Sequence, residues 1–511
     1  MTHRLHMLLV ACIVTLLLSC KEGGVNTSAN VSLQDFQTLS VKGQKLSSAK
    51  IRRHLTRIIE ADCDSMTADF RTRAYYINQG SLLWIDRLGV DSRADTLLAW
   101  LNRVGEMGFS TKRFCVDKIE SNLQKLRSLD VDSTSKHDVN YLAAQLEYHL
   151  TKAYLRYAAG QRFGYTNPTY LLNRLDTMEQ SRYDTVPRSV RYRGLFDVPM
   201  QHASRSFFAS AISKLSSDSL AAFLHEVQPH NDFYALLQQQ LSDGTPLTRE
   251  MRARILCNME RCRWRQNDYP WNHKKYVLVN LPSMHLLAVD GSDTLNMRIG
   301  LGSYSTKTPL LNSAIKRMDI NPKWFIPRSI IDKDIIHHVG NKQYFDSRHF
   351  YVVDRRTGKE VNLYSVTADM LRSKNYGVVQ RGGKGNSLGR IIFRFDNNFS
   401  VFLHDTSSKD VFSRGDRSVS HGCIRVEKPF ELAVFMMQDK DQRLIDKMEY
   451  CMTQDSIADK SMNVGSVNVQ PTVPLFITYF TLYPVDGSHL VQYADIYGYD
   501  NVIYQALLNY L

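Results

Sequence analysis

The sequence has no pair of cysteines in Cys-x-x-Cys spacing, no apolar run of membrane-spanning length and few of the residues that dominate fibres. Eight cysteines among 511 residues are too sparse for a disulfide-stapled scaffold. Without the paired spacing, redox-dithiol and zinc-ribbon readings have no support. Fourteen prolines and 26 glycines exclude a collagen-like or proline-rich rod. Acidic residues are outnumbered, 51 against 64 Lys plus Arg, for a formal charge of +13. That excess favours anionic partners, and nucleic acid, a membrane surface and an anionic polymer all satisfy it. The rest is globular composition, 43% hydrophobic and 23% charged. At this length, two or three domains of about 100–200 residues are expected.

The longest apolar stretch, Met7–Leu18, is broken only by Thr15. It falls well short of the ~20 residues of a crossing helix and, after Arg4, has the form of a secretory h-region. It ends in Leu17-Leu18-Ser19-Cys20, which resembles the lipobox of bacterial lipoproteins. The resemblance implies a signal over 1–19, lipid on Cys20 and a polar tether over 20–45. A plain secretory signal and an uncleaved helix are the alternatives. Cys12 then leaves with the signal, and Cys63, Cys115, Cys257, Cys262, Cys423 and Cys451 remain. Cys257 and Cys262 fall on different faces of one expected helix, as core residues.

The expected fold class is multidomain α+β, a helical scaffold followed by a mainly β catalytic region. Helical spacing dominates 46–265: Leu97, Leu98, Leu101 and Val104 form one stripe, and Leu142, Ala143, Leu146, Leu150, Ala153 and Tyr154 another. Further helices are expected after Pro229-His230-Asn231 and over 248–265. The texture changes near Pro270. Strands are expected at Tyr276–Asn280, Met284–Val289 (closed by the Asp290-Gly291 turn), Tyr351–Val353, Ile391–Phe395 and Val401–Leu403. A helix should start at Pro429, a last strand run over Phe476–Leu482 and a terminal helix over Asn501–Leu508. The boundaries drawn are 46–265 for the scaffold, 266–450 for the catalytic domain and 451–511 for an extension packed on one of them.

Two motifs mislead. Gly382-Gly383-Lys384-Gly385 lacks the order and the Ser/Thr of a phosphate loop. His337-His338 near Asp332 and Asp334 lacks helical zinc spacing and suits a charged surface. No metal and no cofactor is expected.

The chemistry concentrates in Leu403-His404-Asp405-Thr406 and Val419-Ser420-His421-Gly422-Cys423-Ile424-Arg425-Val426. A thiol with a free pKa near about 8.5 needs a base to become a nucleophile. Two bases are available: His421, which on an extended strand would share the face of Cys423, and His404, brought back by a return loop. The N–H groups of Gly422 and Cys423 are candidate oxyanion donors. Arg425 places a fixed charge two residues beyond the thiol, suited to lowering its pKa or holding a carboxylate. Together these residues describe thiol acyl transfer.

His404, separated by fifteen residues from Ser420-His421-Gly422-Cys423, resembles the catalytic signature of the L,D-transpeptidases. Asn321–Ile330, Gly385–Gly389, Asn258-Met259-Glu260-Arg261 with Trp264, Val473-Pro474 through Tyr479-Phe480, Asp495–Gly498 and Leu83-Trp84 resemble the large periplasmic YcbB-like branch. The resemblance implies Cys423 as nucleophile, His404 as general base and then acid, and the Asp405 carbonyl orienting that ring. It implies His421, Gly422 and Cys423 framing an oxyanion site backed by Arg425, and substrate contacts at Asn386, Ser420, Tyr344 and Trp324. It further implies a capping insertion over about 328–380, with Tyr344, Phe345, Arg348, His349 and Tyr351 in a basic, aromatic lid. The small peptidoglycan-binding module common in the branch has too little chain between about 220 and 262.

The implied partners are peptidoglycan stem peptides, as donor and acceptor, and a membrane through the lipid, but no nucleic acid. The implied product is a 3→3 cross-link with release of D-Ala, by a monomer on the periplasmic face of the bacterial envelope and open to carbapenem attack on Cys423. Water as acceptor gives a carboxypeptidase, a protein lysine gives anchoring, and a dead site gives a wall-binding scaffold.

Overall fold

Ser47 opens the first helix described in this computed structural model. Its hydroxyl accepts from the Lys50 N–H at 3.4 Å, and Ile51, Leu55 and Ile59 of Ser48–Ala61 turn inward at helical spacing. The structure describes residues 45–511 apart from 87–88, 129, 132–137, 179–189, 217–218, 455–457, 485–486 and 488. The expected signal, most of the tether and the lipidation residue Cys20 lie outside the described residues. No helix among them is long and apolar enough to cross a membrane.

The architecture is an N-terminal helical scaffold domain followed by a β-rich catalytic domain with a capping structure. In the scaffold, every position of the expected stripe in the helix Val139–Phe163 is buried. One polar group enters that core. Glu147 accepts from Trp84 N–H at 3.0 Å and the Tyr76 hydroxyl at 2.7 Å, so it fixes the Leu83-Trp84 segment. Burial pushes its carboxyl up to about 7, against those hydrogen bonds. Among the described residues, compact units form from 45–102, 111–156 and 208–223, and from 103–110, 157–207 and 224–511.

The catalytic sheet closes on itself. Its barrel strands are β1 (Lys275–Asn280), β2 (His285–Asp290), β3 (Asp293–Gly302), β4 (Leu310–Ile320), β5 (Ile391–Phe395), β6 (Leu403–His404), β7 (Ile424–Val426) and β8 (Ser466–Thr478), to which the short strands Phe196–Asp197 and Ser418–Ser420 add at the side. Their order is β5-β6-β7-β3-β2-β1-β8-β4, and β4 pairs back onto β5 to complete a barrel. The β6–β7 and β1–β8 pairs are parallel, and the other barrel pairs antiparallel. Closure removes the unpaired edges of an open sheet.

Three expectations change here. The tail is not an extension throughout, because β8 lies between β1 and β4 and is part of the barrel wall. The last strand expected at Phe476–Leu482 is in fact β8, which begins at Ser466 and ends at Thr478. Its Pro471 and Pro474 read against a central strand; Pro471 lies where the register breaks between Asn468 and Val473, whereas Pro474 pairs with Ala314 in the resumed ladder. The strand expected at Val401–Leu403 shortens to Leu403–His404.

The cap has its own small sheet, in the order Glu360–Val361, Phe350–Asp354, Tyr376–Gln380, Trp324–Phe325. It therefore starts at Trp324, slightly ahead of the expected 328. Ile331, Phe345, Val352, Leu371 and Val378 bury against one another as its core.

Candidate active site

The parallel β6–β7 pair assembles the site. Leu403 faces Ile424 and His404 faces Arg425, and the Ile424 N–H donates to the Phe402 carbonyl at 3.1 Å. Cys423, one residue ahead of β7, therefore arrives beside the end of β6. Cys423, His404, His421, Ser420 and Arg425 line one cavity of about 720 Å³, whose other wall includes Trp324, Tyr344, Arg348 and Phe350 of the cap.

His404 is buried, and its Nδ1 hydrogen-bonds the Asp405 carbonyl. A carbonyl only accepts, so Nδ1 carries the proton and Nε2 is the basic nitrogen. Burial lowers the ring to about 4, helped by the Arg425 charge and opposed by the Asp405 and Leu388 carbonyls and the Asp405 charge. Burial also pushes the Cys423 thiol up to about 11, against the Phe402 N–H and Arg425. At neutral pH the pair is therefore thiol and neutral imidazole, not thiolate and imidazolium. The Arg425 guanidinium forms no ion pair among the described residues, and its Nε is buried without a hydrogen-bond partner. A cation left unpaired in a cavity is a receptor for developing negative charge.

The turn before Cys423 corrects two expectations. His421 does not share a strand face with the thiol: the strand ends at Ser420, and Gly422, at φ +118, redirects the chain, leaving His421 exposed. The Gly422 N–H is not an oxyanion donor either, because it donates to Ser420 Oγ at 3.0 Å. The Cys423 N–H keeps no partner among the described residues. Ser420 Oγ also donates to the Cys423 carbonyl at 2.6 Å, so Ser420 shapes the turn from within.

Residues far off in sequence hold the turn from outside. Thr306 Oγ1 donates to the Ser420 carbonyl at 2.8 Å and Thr308 Oγ1 to the Gly422 carbonyl at 2.9 Å. The Tyr497 hydroxyl accepts from the Thr308 N–H at 3.1 Å and donates to the Gly302 carbonyl at 2.6 Å. None of these was singled out as a site residue, since no local spacing connects 302–308 or 497 to 420–423.

Asn386 is a correction as well. It does not line the cavity; its amide donates to the Pro322 and Arg381 carbonyls and accepts from the Leu388 N–H at 2.7 Å. It shapes a loop that ends at Gly389, where φ is +62 and a Cβ would stand 2.4 Å from Asp405 Oδ2. That carboxylate accepts from the Arg390 N–H at 2.8 Å and the Thr406 N–H at 2.7 Å. Gly389→Ala should displace Asp405, and with it the carbonyl that holds His404, at a cost of about 1–3 kcal/mol. Thermal melting checks this, and a wild-type melting temperature would show that the close approach sets nothing.

On the cap side, Trp324 pairs with Gln380 at the sheet edge. Tyr344 stacks on His338 at 3.7 Å between ring centres, and the Arg348 guanidinium lies 4.0 Å from its ring centre.

Residues 274–445 match the L,D-transpeptidase catalytic domain family, and residues 71–241 match the Scaffold domain family. This chain contains an L,D-transpeptidase domain. A curated Haemophilus influenzae relative carrying the L,D-transpeptidase name is 26% identical over 302 residues, 58% of this chain and 59% of its own. The chain thus spans about three-fifths of the length of that relative. A solved L,D-transpeptidase from Mycobacterium smegmatis shows 14% identity over 40% of this chain and 58% of its own, at a TM-score of 0.17. That likeness is too slight to bear on the fold. Within the L,D-transpeptidase domain lie Cys423, His404 and Arg425, together with the whole cap.

Proposed function

We propose that this protein is a peptidoglycan L,D-transpeptidase that forms 3→3 cross-links through a Cys423 acyl-enzyme. The observation that carries the reading is a thiol and a buried neutral imidazole in one cavity with an unpaired guanidinium. Cys423 Sγ attacks the carbonyl of the third residue of a donor tetrapeptide while His404 Nε2 takes the thiol proton. The oxyanion faces the Cys423 N–H and Arg425. Collapse breaks the peptide bond to D-Ala, whose amine leaves with the proton returned by His404. An acceptor side-chain amine then attacks the thioester, giving up a proton to His404, and the thiol re-forms.

Water as acceptor makes the same site a carboxypeptidase, and a protein lysine makes it an anchoring enzyme. The apolar cap wall formed by Trp324, Ile330, Ile335 and Phe350 favours an amine by excluding water. A dead wall-binding scaffold would have no use for an unpaired Arg425 beside a free thiol. Lipid on Cys20 and a periplasmic, monomeric protein complete the proposal.

Incubation with disaccharide-tetrapeptide, read by mass spectrometry, tests it. D-Ala release with a cross-linked dimer, both absent in Cys423→Ala, is the expected result. Release without dimer would leave only the carboxypeptidase, and no release at all would refute the acyl-enzyme.

A further inference from the structure

Trp271 is 67% exposed, yet its ring is stacked on a neighbour. It sits on the short helical turn Pro270–Asn272 and stacks on Tyr269 at 4.5 Å between ring centres with 13° between planes. The Tyr269 hydroxyl accepts from the Gln266 N–H at 3.0 Å. Asp268 braces the turn: it accepts from the Tyr269 N–H at 2.9 Å and from Asn272 at 3.1 Å, and it pairs with His273 at 2.7 Å. One indole face is thus backed by a second ring while most of the group meets water. An exposed indole is an apolar surface that folding leaves uncovered.

Both rings line two cavities. One, of about 400 Å³, is polar and carries Gln201, Asn231, Arg265 and Asn267. The side chains of Gln201, Arg265 and Asn267 make no hydrogen bond or ion pair among the described residues. The other, of about 470 Å³, is walled by Phe233, Tyr276, Phe480 and Tyr483, with Phe233 edge to face against Phe480 at 5.4 Å and Tyr483 at 5.8 Å. Neither contains Cys423, His404 or Arg425.

We infer that the Trp271 platform binds the sugar rings of an N-acetylated amino-sugar chain. The chemistry has three parts. A pyranose presents a flat C–H face, which the electron-rich face of the indole attracts. Its hydroxyls and acetamido groups need planar donors and acceptors, which the free amides of Gln201 and Asn267 and the fork of Arg265 supply. Its acetyl methyls need a dry groove, which the aromatic cavity supplies. A peptide ligand would not need a broad, backed platform beside free amides. The inference rests on the proposed function for the identity of the glycan, which would be the wall strand that carries the stem peptides. In that case the +13 charge would not be the sole means of holding the wall.

Titration of the full chain with the tetramer of N-acetylglucosamine, followed by calorimetry and tryptophan fluorescence, tests the site. Saturable binding is expected, weakened at least tenfold in Trp271→Ala, less in Trp271→Phe and Arg265→Ala, with unchanged melting temperatures. A glucose tetramer lacking acetamido groups should bind at least tenfold more weakly than the N-acetylglucosamine tetramer. Absence of saturable binding, or equal affinity in Trp271→Ala, overturns the site; equal affinity for the two tetramers overturns the amino-sugar assignment. Cys423→Ala should bind the tetramer like the wild type. A protein that binds the sugar but releases no D-Ala would refute the transpeptidase and leave the sugar site standing.

Discussion

His404→Ala is expected to lower kcat for D-Ala release by about 10²–10⁴-fold, the range for loss of a positioned general base. The thiol cannot compensate, because burial holds it at about 11 and its thiolate is scarce at neutral pH. The pH profile carries the sharper signature. With His404 lowered to about 4, its basic form persists well below the usual 6.5, so the acid limb of kcat/KM should fall near pH 4. An acid limb near 6.5 would show an ordinary solvated imidazole and sink the assignment.

Linkage predicts a second readout for the same residue. The folded pKa is depressed, so the folded state binds fewer protons than the unfolded one between about 4 and 6.5. The stability that His404 contributes is complete above about 6.5 and is lost as pH falls through that window. His404→Ala should therefore show a shallower loss of melting temperature over the same window.

Gly302→Ala is expected to damage both fold and site. A Cβ there would lie 2.2 Å from the Thr306 carbonyl oxygen, 2.7 Å from the Thr308 nitrogen and 2.9 Å from the Lys307 carbonyl carbon. All three are backbone atoms, so no side chain can rotate away. About 3 kcal/mol of destabilisation is expected from such overpacking. The same loop carries the Thr306 and Thr308 hydroxyls that hold the Ser420 and Gly422 carbonyls. Activity should therefore fall even at temperatures where the variant is fully folded. Thr308→Val separates the two effects, because it keeps the volume and removes the hydroxyl that bridges the Gly302 N–H and the Gly422 carbonyl. Its kcat should drop with a smaller change in melting temperature. Wild-type melting and turnover in Gly302→Ala would show that this loop does not set the turn.

Local pattern made much of the architecture legible. The stripe from Leu142 to Tyr154, the hairpin at Asp290-Gly291 and the helix from Pro429 each follow from periodicity or turn chemistry acting over a few residues. Strands β4 and β8 were not legible as barrel walls. Lys316, Arg317 and Asp319 break the apolar pattern of β4 because they point to partners such as Asp396 and Arg394 at the surface. Pro471 and Pro474 disguise β8.

At the site, the sequence by itself determined the chemical types: one Cys, a spaced His, a Gly at the turn and an Arg beyond it. Only the tertiary structure decided how they are used. It buried His404 beside a half-buried Cys423 as a neutral pair, left Arg425 unpaired, spent the Gly422 N–H on Ser420 and turned His421 outward. It also supplied Thr308 and Tyr497 as supports, more than a hundred residues and nearly two hundred residues away from the groups they hold. The physical reason is that residue type is local, whereas burial, hydrogen-bond partnership and charge pairing depend on what the closed barrel brings alongside.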